Sequence, residues 1–388
     1  MKTDFTFKIP TELHFGNGTL NHLHEYTIPG KKALIVITKG KSMKANGYLE
    51  RVEKQLDAAG SEHVLFDQVG ANPTLKNVMD GAEVARENGC DFVVGLGGGS
   101  SMDCAKGIAL AATNEGDLWD YAGGKTGKRK PWQNKPLPVV AITTTAGTGS
   151  EIDPWFVITK QETNEKKGIG WPPYSYPVLS IVDPELMMTV PSKMTAYQGF
   201  DALFHATESV INRFEDSFAE MFALQAVTYI GKYLARAVKD GSDKEARTYM
   251  AMANTLAGFY MNCTSEHSLE HELSAYHPEV PHGAGLIMIS EAYYQTMVDL
   301  HACDEQLIKL AKALGKTDAD KAQDFIVALT DLQKACGVYE LKMSDYDITE
   351  EELPQMVENA RAMGGLFRAD PAELSNAQLL NIYQKSYR

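Results

Sequence analysis

The residues best equipped for chemistry lie in two short stretches of the second half of the chain. Asp201 and His205 are four apart in Gly199-Phe-Asp-Ala-Leu-Phe-His-Ala-Thr-Glu208, so on a helix they leave from one face at a separation suited to one metal ion. Alone, such a pair also reads as a simple hydrogen-bonded couple. The second stretch tips the balance. Four of the ten histidines fall between 267 and 282, in His267-Ser-Leu-Glu-His271-Glu-Leu-Ser-Ala-Tyr-His277-Pro-Glu-Val-Pro-His282-Gly283. His267 and His271 are again four apart on a helical stretch, and His282 is expected on a Pro-His-Gly turn beyond it. Packing rarely gathers so many imidazoles, so a metal site is predicted here. His267-x-x-Glu270-His271 also matches the H-x-x-E-H motif of inverzincin peptidases. That reading leaves Asp201, His205 and the whole first half without a task.

The first half offers the chemistry of phosphate binding. Asp91-Phe-Val-Val-Gly-Leu96 reads as a strand running into Gly97-Gly98-Gly99-Ser100 and then a helix from Ser101 to Ala112. Glycines let a backbone approach an anion, and the helix start supplies free N–H groups and partial positive charge. The Gly95-x-Gly97-x-x-Ser100 pattern departs from the dinucleotide fingerprint at its last position, and a glycine turn is often purely structural. A P-loop is excluded, because the leading glycine before Gly124-Lys125-Thr126 would fall at Trp119. Thr143-Thr-Thr-Ala-Gly-Thr-Gly-Ser-Glu151 adds hydroxyls and flexible amides, or else is a polar turn. After the first strand, Lys39-Gly40-Lys41-Ser42 stands where an acid would bind an adenosine 2′-hydroxyl. Two lysines and a serine suit a 2′-phosphate instead, so Gly40, Lys41 and Ser42 favour NADP(H) over NAD(H); the alternative is two solvated surface lysines.

These groups need elements to hold them. Strands are expected at 33–37, 63–66, 91–96, 138–142 and 179–182, alternating with helices at 48–56, 75–88 and 101–112, which implies βαβ units and a mostly parallel sheet. Beyond Pro184–Pro191 the β-branched runs stop. Segments 201–237, 244–261, 304–314 and 319–335 carry apolar residues at helical spacing. Two domains follow: 1–185, an α/β nucleotide-binding domain, and 186–388, an all-helical metal-binding domain. The 388 residues suit that division. Phe5-Thr-Phe7-Lys-Ile9 alternates like an edge strand of its own sheet, or one that pairs across a subunit interface. With 37 Lys and Arg against 51 Asp and Glu the net charge is −14, which argues against a nucleic-acid partner. The five cysteines are scattered without a C-x-x-C, as reduced thiols would be, and no 18-residue apolar run is present. A soluble cytoplasmic protein is expected.

Taken together, Gly97-Gly-Gly-Ser100 with Asp103 and Lys106, Thr144-Thr-Ala-Gly-Thr-Gly-Ser-Glu151, the Gly199–Glu208 segment and His267-x-x-x-His271 followed by Pro281-His282-Gly283 resemble the iron-containing (group III) alcohol dehydrogenase family, in the family's order and over nearly the whole chain. The resemblance implies a dehydroquinate-synthase-like fold, with the active site in the cleft and dimers or larger assemblies. It implies Asp201, His205, His267 and His282 as metal ligands, with His271 as the catalytic residue beside nicotinamide and substrate. On the cofactor side it implies Asn72, Gly98, Gly99, Ser100, Thr144, Thr145 and Lys167, with Asp103 counted among them. Three departures stand out. Glu270 adds negative charge where many relatives are small, the 271–282 loop is a residue longer so that His277 competes with His282, and the acid of NAD-preferring relatives is missing from Lys39–Ser42.

Three histidines and one carboxylate suit Fe²⁺ and also accept Zn²⁺. The expected reaction is hydride transfer between NAD(P)(H) and a small alcohol or aldehyde, with the metal acidifying the alcohol and His271 relaying its proton. Phe200, Phe204, Phe259, Tyr260 and Leu269 are candidates for a dry substrate pocket or for plain helix core. The fold-related rival, a phosphate-eliminating lyase, needs basic residues near the metal. Lys193, Arg213, Lys232, Arg236, Lys239, Lys244 and Arg247 all lie outside the ligand motifs.

Overall fold

Runs of Val, Ile and Leu with no polar alternation can only be satisfied by burial on both faces, and such strands build a parallel sheet covered by helices. The computed structural model, which describes residues 4–259 and 261–388, shows this in the unit formed by residues 8–145 and 149–189. Its strands are β1 (Glu12–Phe15), β2 (Lys32–Thr38), β3 (Glu62–Val69), β4 (Phe92–Gly97), β5 (Val139–Thr143), β6 (Trp155–Lys160), β7 (Glu165–Gly170) and β8 (Leu179–Val182). Six of them form one sheet in the order β1-β8-β5-β4-β2-β3, parallel at every pairing. Helices α1 (Ser42–Ala45), α2 (Tyr48–Ala58), α3 (Leu75–Glu87) and α4 (Gly99–Ala111) connect the strands.

Alternate residues of β2 feed two cores. Ala33, Ile35 and Ile37 pack with Tyr48, Leu49, Val52 and Leu56 of α2, whereas Leu34 and Val36 pack with Val78, Ala82, Cys104, Ala105 and Ile108 of α3 and α4. The chain leaves β2 towards one face and β4 towards the other, so the adjacent carboxyl ends of β2 and β4 form the switch point where α/β sheets bind ligands.

The second unit comprises residues 146–148 and 190–388, with residues 4–7. It consists of α5 (Ser192–Ile211), α6 (Ser217–Lys239), α7 (Lys244–Gly258), α8 (Ser265–Tyr276), α9 (His282–Asp299), α10 (Asp304–Ala313), α11 (Gln323–Ala335), α12 (Leu353–Met363) and α13 (Asn376–Ser386), with no strand among its described residues. Among the described residues, no helix in either unit is long and apolar enough to cross a membrane.

Four local expectations need correction. The segment 201–237 is two helices, because Asp216 accepts from the Phe218 and Ala219 amides and starts α6, while the Asn212 side chain accepts from the Phe214 amide and turns the chain between them. His282 opens α9 directly after Pro281 instead of lying on a free turn. Residues 5–9 form no strand; the Phe5 and Phe7 rings rest on Phe218, 5.1 and 5.6 Å between centroids. The β6–β7 hairpin was not anticipated, since Lys166, Lys167, Gly168 and Gly170 hide its β7 strand, and the turn relies on Asn164 at φ 49°.

Candidate metal centre and nucleotide cradle

Helix α5 places Asp201, His205 and Glu208 on one face, spaced i, i+4 and i+7. Asp201 Oδ1 is the hub of the centre. It lies 3.8 Å from His267 Nε2 on α8 and 3.5 Å from His282 Nε2 at the start of α9, while the His205 ring approaches it on its Nδ1 side, at 3.8 Å. Asp201, His205 and His267 are all at most 5% exposed, yet Asp201 Oδ1 and His267 Nε2 have no hydrogen-bond partner among the described residues. Polar atoms left unpaired in a core cost free energy that a bound cation recovers. Burial works to raise the Asp201 pKa, but the His205 and His282 imidazoles, with His267, prevail and hold it well below the usual carboxylate range. The donors therefore fit a divalent metal.

The partners of the imidazoles fix their tautomers. His205 Nδ1 lies 3.2 Å from the Gly147 carbonyl, His267 Nδ1 is bonded to Glu208 Oε1, and His282 Nδ1 to Glu270 Oε2. A carbonyl or carboxylate can only accept, so each Nδ1 carries the proton and each Nε2 lone pair is left for a metal. Glu208 also anchors α8, its Oε2 accepting from the Thr264 amide and from the Thr264 hydroxyl at 2.7 Å. Glu270 fits because of Gly285 on α9, where a Cβ would stand 2.8 Å from Glu270 Cγ and 3.0 Å from Oε1. Sequence expectations assign no metal role to Glu208 and only an added negative charge near the site to Glu270. Spacing alone reveals Glu208, on the ligand face of α5, but the Glu270–His282 bond depends on how α8 and α9 pack.

The remaining histidines are distinguished by their neighbours. His271, half-buried, offers a donor atom within 4.8 Å of donors on Glu270 and His282. Its ring centroid is 5.6 Å from that of His282. His277 points to carboxylates instead, with Nε2 3.2 Å from Glu352 and Nδ1 3.6 Å from Glu279. Phe200, Phe204 and Leu269 are fully buried, with Phe204 stacked towards Tyr294, so they are helix core. Phe259 packs on Phe222, and Tyr260 lies outside the described residues.

Beneath α8, Asp370 accepts from the Ser265 amide at 2.8 Å and from the Tyr293 hydroxyl at 3.1 Å. Burial pushes its pKa up to about 6. Because the folded state favours the protonated acid, the associated stability, on the order of 2–3 kcal/mol, is fully present below about pH 4 and is lost as pH rises through about 6. In metal-free protein, the stability of Asp370→Asn relative to wild type should therefore rise by that amount between pH 4.5 and 7.5 in urea titrations. A difference that stays constant with pH would show that Asp370 does not titrate there.

In the α/β unit, the predicted cofactor residues gather at the carboxyl ends of β2 to β5. Gly98 begins α4 with no side-chain cap, leaving first-turn amides for an anion. Gly97, at φ +142°, makes the turn, and a Cβ there would come 2.6 Å from Ser101 Oγ. Gly99 is the first residue of α4, and the Ser100 hydroxyl donates to the Ala71 carbonyl, bringing the loop that carries Asn72 alongside. A capping box formed by Thr74 and Asn77 fixes the exit of that loop into α3, worth ~1 kcal/mol. The Thr144 amide donates to the Gly97 carbonyl at 2.9 Å, and Thr145 Cγ2 borders Gly98. Thr159 of β6 donates to the Pro73 carbonyl, and its neighbour Ile158 is in register with Lys167. Gly40 and Lys41 follow β2, and Ser42 starts α1. Asp103 is placed differently from the others: it is buried, with its two oxygens accepting from the Ser150 hydroxyl at 2.6 Å and the Val157 amide at 2.8 Å. It braces the cradle from below, as does Lys106, whose Nζ donates to Ser150 and to the Asp153 and Trp155 carbonyls.

Comparison with known proteins agrees with both halves. Residues 10–184 match the family model described as iron-containing alcohol dehydrogenase, and residues 195–387 match the model of that family's C-terminal part. The chain is 34% identical over 396 residues to the 1,3-propanediol dehydrogenase of Klebsiella pneumoniae, with 99% of each covered. Among solved structures it is similar to an archaeal halo-thermophilic Red Sea brine pool alcohol dehydrogenase, at TM-score 0.94 and 36% identity over 100% of both chains. It is also similar to the NADH-dependent butanol dehydrogenase A of Thermotoga maritima, at TM-score 0.89 and 27% identity over 99% of both. With a family match across both units and a site to go with it, the chain belongs to the iron-containing alcohol dehydrogenase family.

Proposed function

We propose that this enzyme interconverts a short-chain primary alcohol or diol and its aldehyde, with NADP(H) preferred, and works in the cell as an aldehyde reductase. The observation that carries this reading is the convergence of His267 Nε2 and His282 Nε2 on one unpartnered, buried Asp201 oxygen, with the His205 ring beside them on α5. Asp201, His205, His267 and His282 would hold the metal, and when bound it lowers the pKa of an alcohol or polarises a carbonyl. His271 takes up the hydroxyl proton and passes it to solvent, a transfer to which an imidazole is suited. His282 and His271 are the more exposed members of the group, so substrate reaches the centre from their side. The relatives named for 1,3-propanediol and butanol support a small aliphatic substrate.

In the cradle, Gly98, Gly99, Ser100, Thr144 and Thr145 hold the pyrophosphate through backbone amides and hydroxyls, with Asn72 and Lys167 flanking. Gly40, Lys41 and Ser42 take the 2′-phosphate. Lys39 and Lys41 are exposed at the end of β2, with no acid between them. If so, Lys39→Glu/Lys41→Glu should raise the KM for NADPH at least about tenfold and leave that for NADH nearly unchanged, since a hydrogen bond to a charged group is worth ~1.5–3 kcal/mol. Equal effects on both cofactors would make these lysines ordinary surface charge. A cytoplasmic homo-oligomer completes the reading, supported by the exposed apolar Phe214, Phe218 and Met221 of the helical unit.

The test is an anaerobic assay of the Fe²⁺-loaded protein with NADPH or NADH and a panel of short aldehydes. Metal-dependent oxidation of NADPH well above NADH is expected. NADH preference would remove the 2′-phosphate argument, and no turnover with any aldehyde would remove the substrate class. The lyase alternative is less favoured, since its three candidate arginines are engaged elsewhere: Arg213 donates to the Asp370 carbonyl, Arg236 pairs with Asp243 and Glu245, and Arg247 donates to Thr195 and the Val190 and Gly241 carbonyls.

A further inference from the structure

Cys263 stands apart from the other four cysteines. Cys90, Cys104, Cys303 and Cys336 are buried and belong to no cluster of three metal-ligating side chains among the described residues, whereas Cys263 is only part-buried. Its Sγ lies within 4.8 Å of a donor nitrogen on His205 and another on His267, two of the residues read as metal ligands. The placement is built into the fold. Helix α5 grips the loop on both sides of the cysteine: Ser209 Oγ accepts from the Asn262 amide at 3.3 Å, Asn212 Nδ2 donates to the Asn262 carbonyl at 3.1 Å, and Glu208 takes the Thr264 amide. Glu208, Ser209 and Asn212 follow His205 on the same side of the helix, so the sulfur is fixed beside the His205 ring. That ring stacks on His267 at 4.5 Å. With the His267 Nδ1 held by Glu208, the nitrogen His267 has to offer is Nε2, which is buried and unpartnered.

We propose that Cys263 is a further donor to the metal of this enzyme, a thiolate added to the histidine and aspartate set. The inference rests on the reading of Asp201, His205, His267 and His282 as ligands. On binding, the thiol proton leaves to solvent as the sulfur–metal bond forms, and a coordinated thiol is deprotonated outright. Thiolate is a soft donor, so this chain holds zinc-class cations more tightly than a centre of nitrogen and oxygen alone.

Cobalt(II) is the probe, because its visible ligand-field bands report binding by any donor and a near-ultraviolet charge-transfer band reports sulfur. Metal-free full-length protein titrated with Co²⁺ under anaerobic conditions should show both. Cys263→Ser should keep the visible bands, lose the charge-transfer band and bind Zn²⁺ at least about tenfold more weakly, by competition with a chelating dye. Cobalt binding without the charge-transfer band in the wild type overturns the proposal and leaves the histidine and aspartate centre standing. So does a Cys263→Ser spectrum identical to wild type. Failure of the wild type to bind Co²⁺ at one equivalent overturns the centre and the proposal together.

Discussion

His267→Ala is expected to bind less than about a tenth of the wild-type metal and to lower kcat/KM at least about a thousandfold. The removed nitrogen is buried, has no hydrogen-bond partner among the described residues and lies 3.8 Å from Asp201 Oδ1. Lewis-acid assistance amounts to several kcal/mol of transition-state stabilisation, and each 1.36 kcal/mol is a factor of ten in rate. The cradle residues belong to the other unit, so NADPH affinity, followed by its fluorescence, should stay within about twofold of wild type. The contrast makes the result interpretable. Loss of both properties would indicate a folding defect, whereas metal retained at full occupancy with most of the activity would take His267 out of the ligand set.

Glu208→Gln should cost 10- to 100-fold in metal affinity although Glu208 itself does not reach the metal. The carboxylate accepts three hydrogen bonds, from His267 Nδ1, the Thr264 amide and the Thr264 hydroxyl. A glutamine has one acceptor oxygen and one donor NH₂. If its oxygen serves Thr264, the NH₂ donates to His267 Nδ1 and drives the ring proton onto Nε2, the atom that must be free. If its oxygen serves His267 instead, the NH₂ meets the Thr264 amide donor to donor and the start of α8 is strained. Both arrangements weaken the centre, and the second also lowers the melting temperature. Isothermal titration of the metal-free variant with Zn²⁺ is the measurement. Unchanged affinity would mean that packing alone orients the His267 ring. Glu270→Gln repeats the logic at His282, though that ring is more exposed and its orientation less dependent on one partner.

Much of the fold was legible because its signals are local. An uninterrupted Leu34-Ile-Val-Ile37 run has no way to satisfy its side chains except between two helical layers, and the glycines at 97–99 mark the turn from a strand into a small-residue helix. Where reading failed, the missing information was also local but weaker. The start of α6 lay in Asp216, a capping residue submerged in a long helical periodicity, and β7 was masked by paired lysines and glycines. Pro281-His-Gly283 has the composition of a turn, yet Pro281 stands at the N-cap of α9 and His282 is its first residue.

What the sequence determined by itself was the inventory: which donors exist, which of them share a helix face, and which half of the chain each belongs to. Asp201, His205 and Glu208 are related by helical geometry that any continuous α5 must obey. The tertiary structure decided which donors from different helices meet. Asp201 Oδ1 comes within 3.8 Å of nitrogens on α8 and α9, Glu270 reaches His282 through the space left by Gly285, and Cys263 is drawn to His205 by three bonds to α5. None of these distances follows from spacing along the chain. They are set by how closely helices pack, and that depends on side-chain volumes from the whole unit acting together.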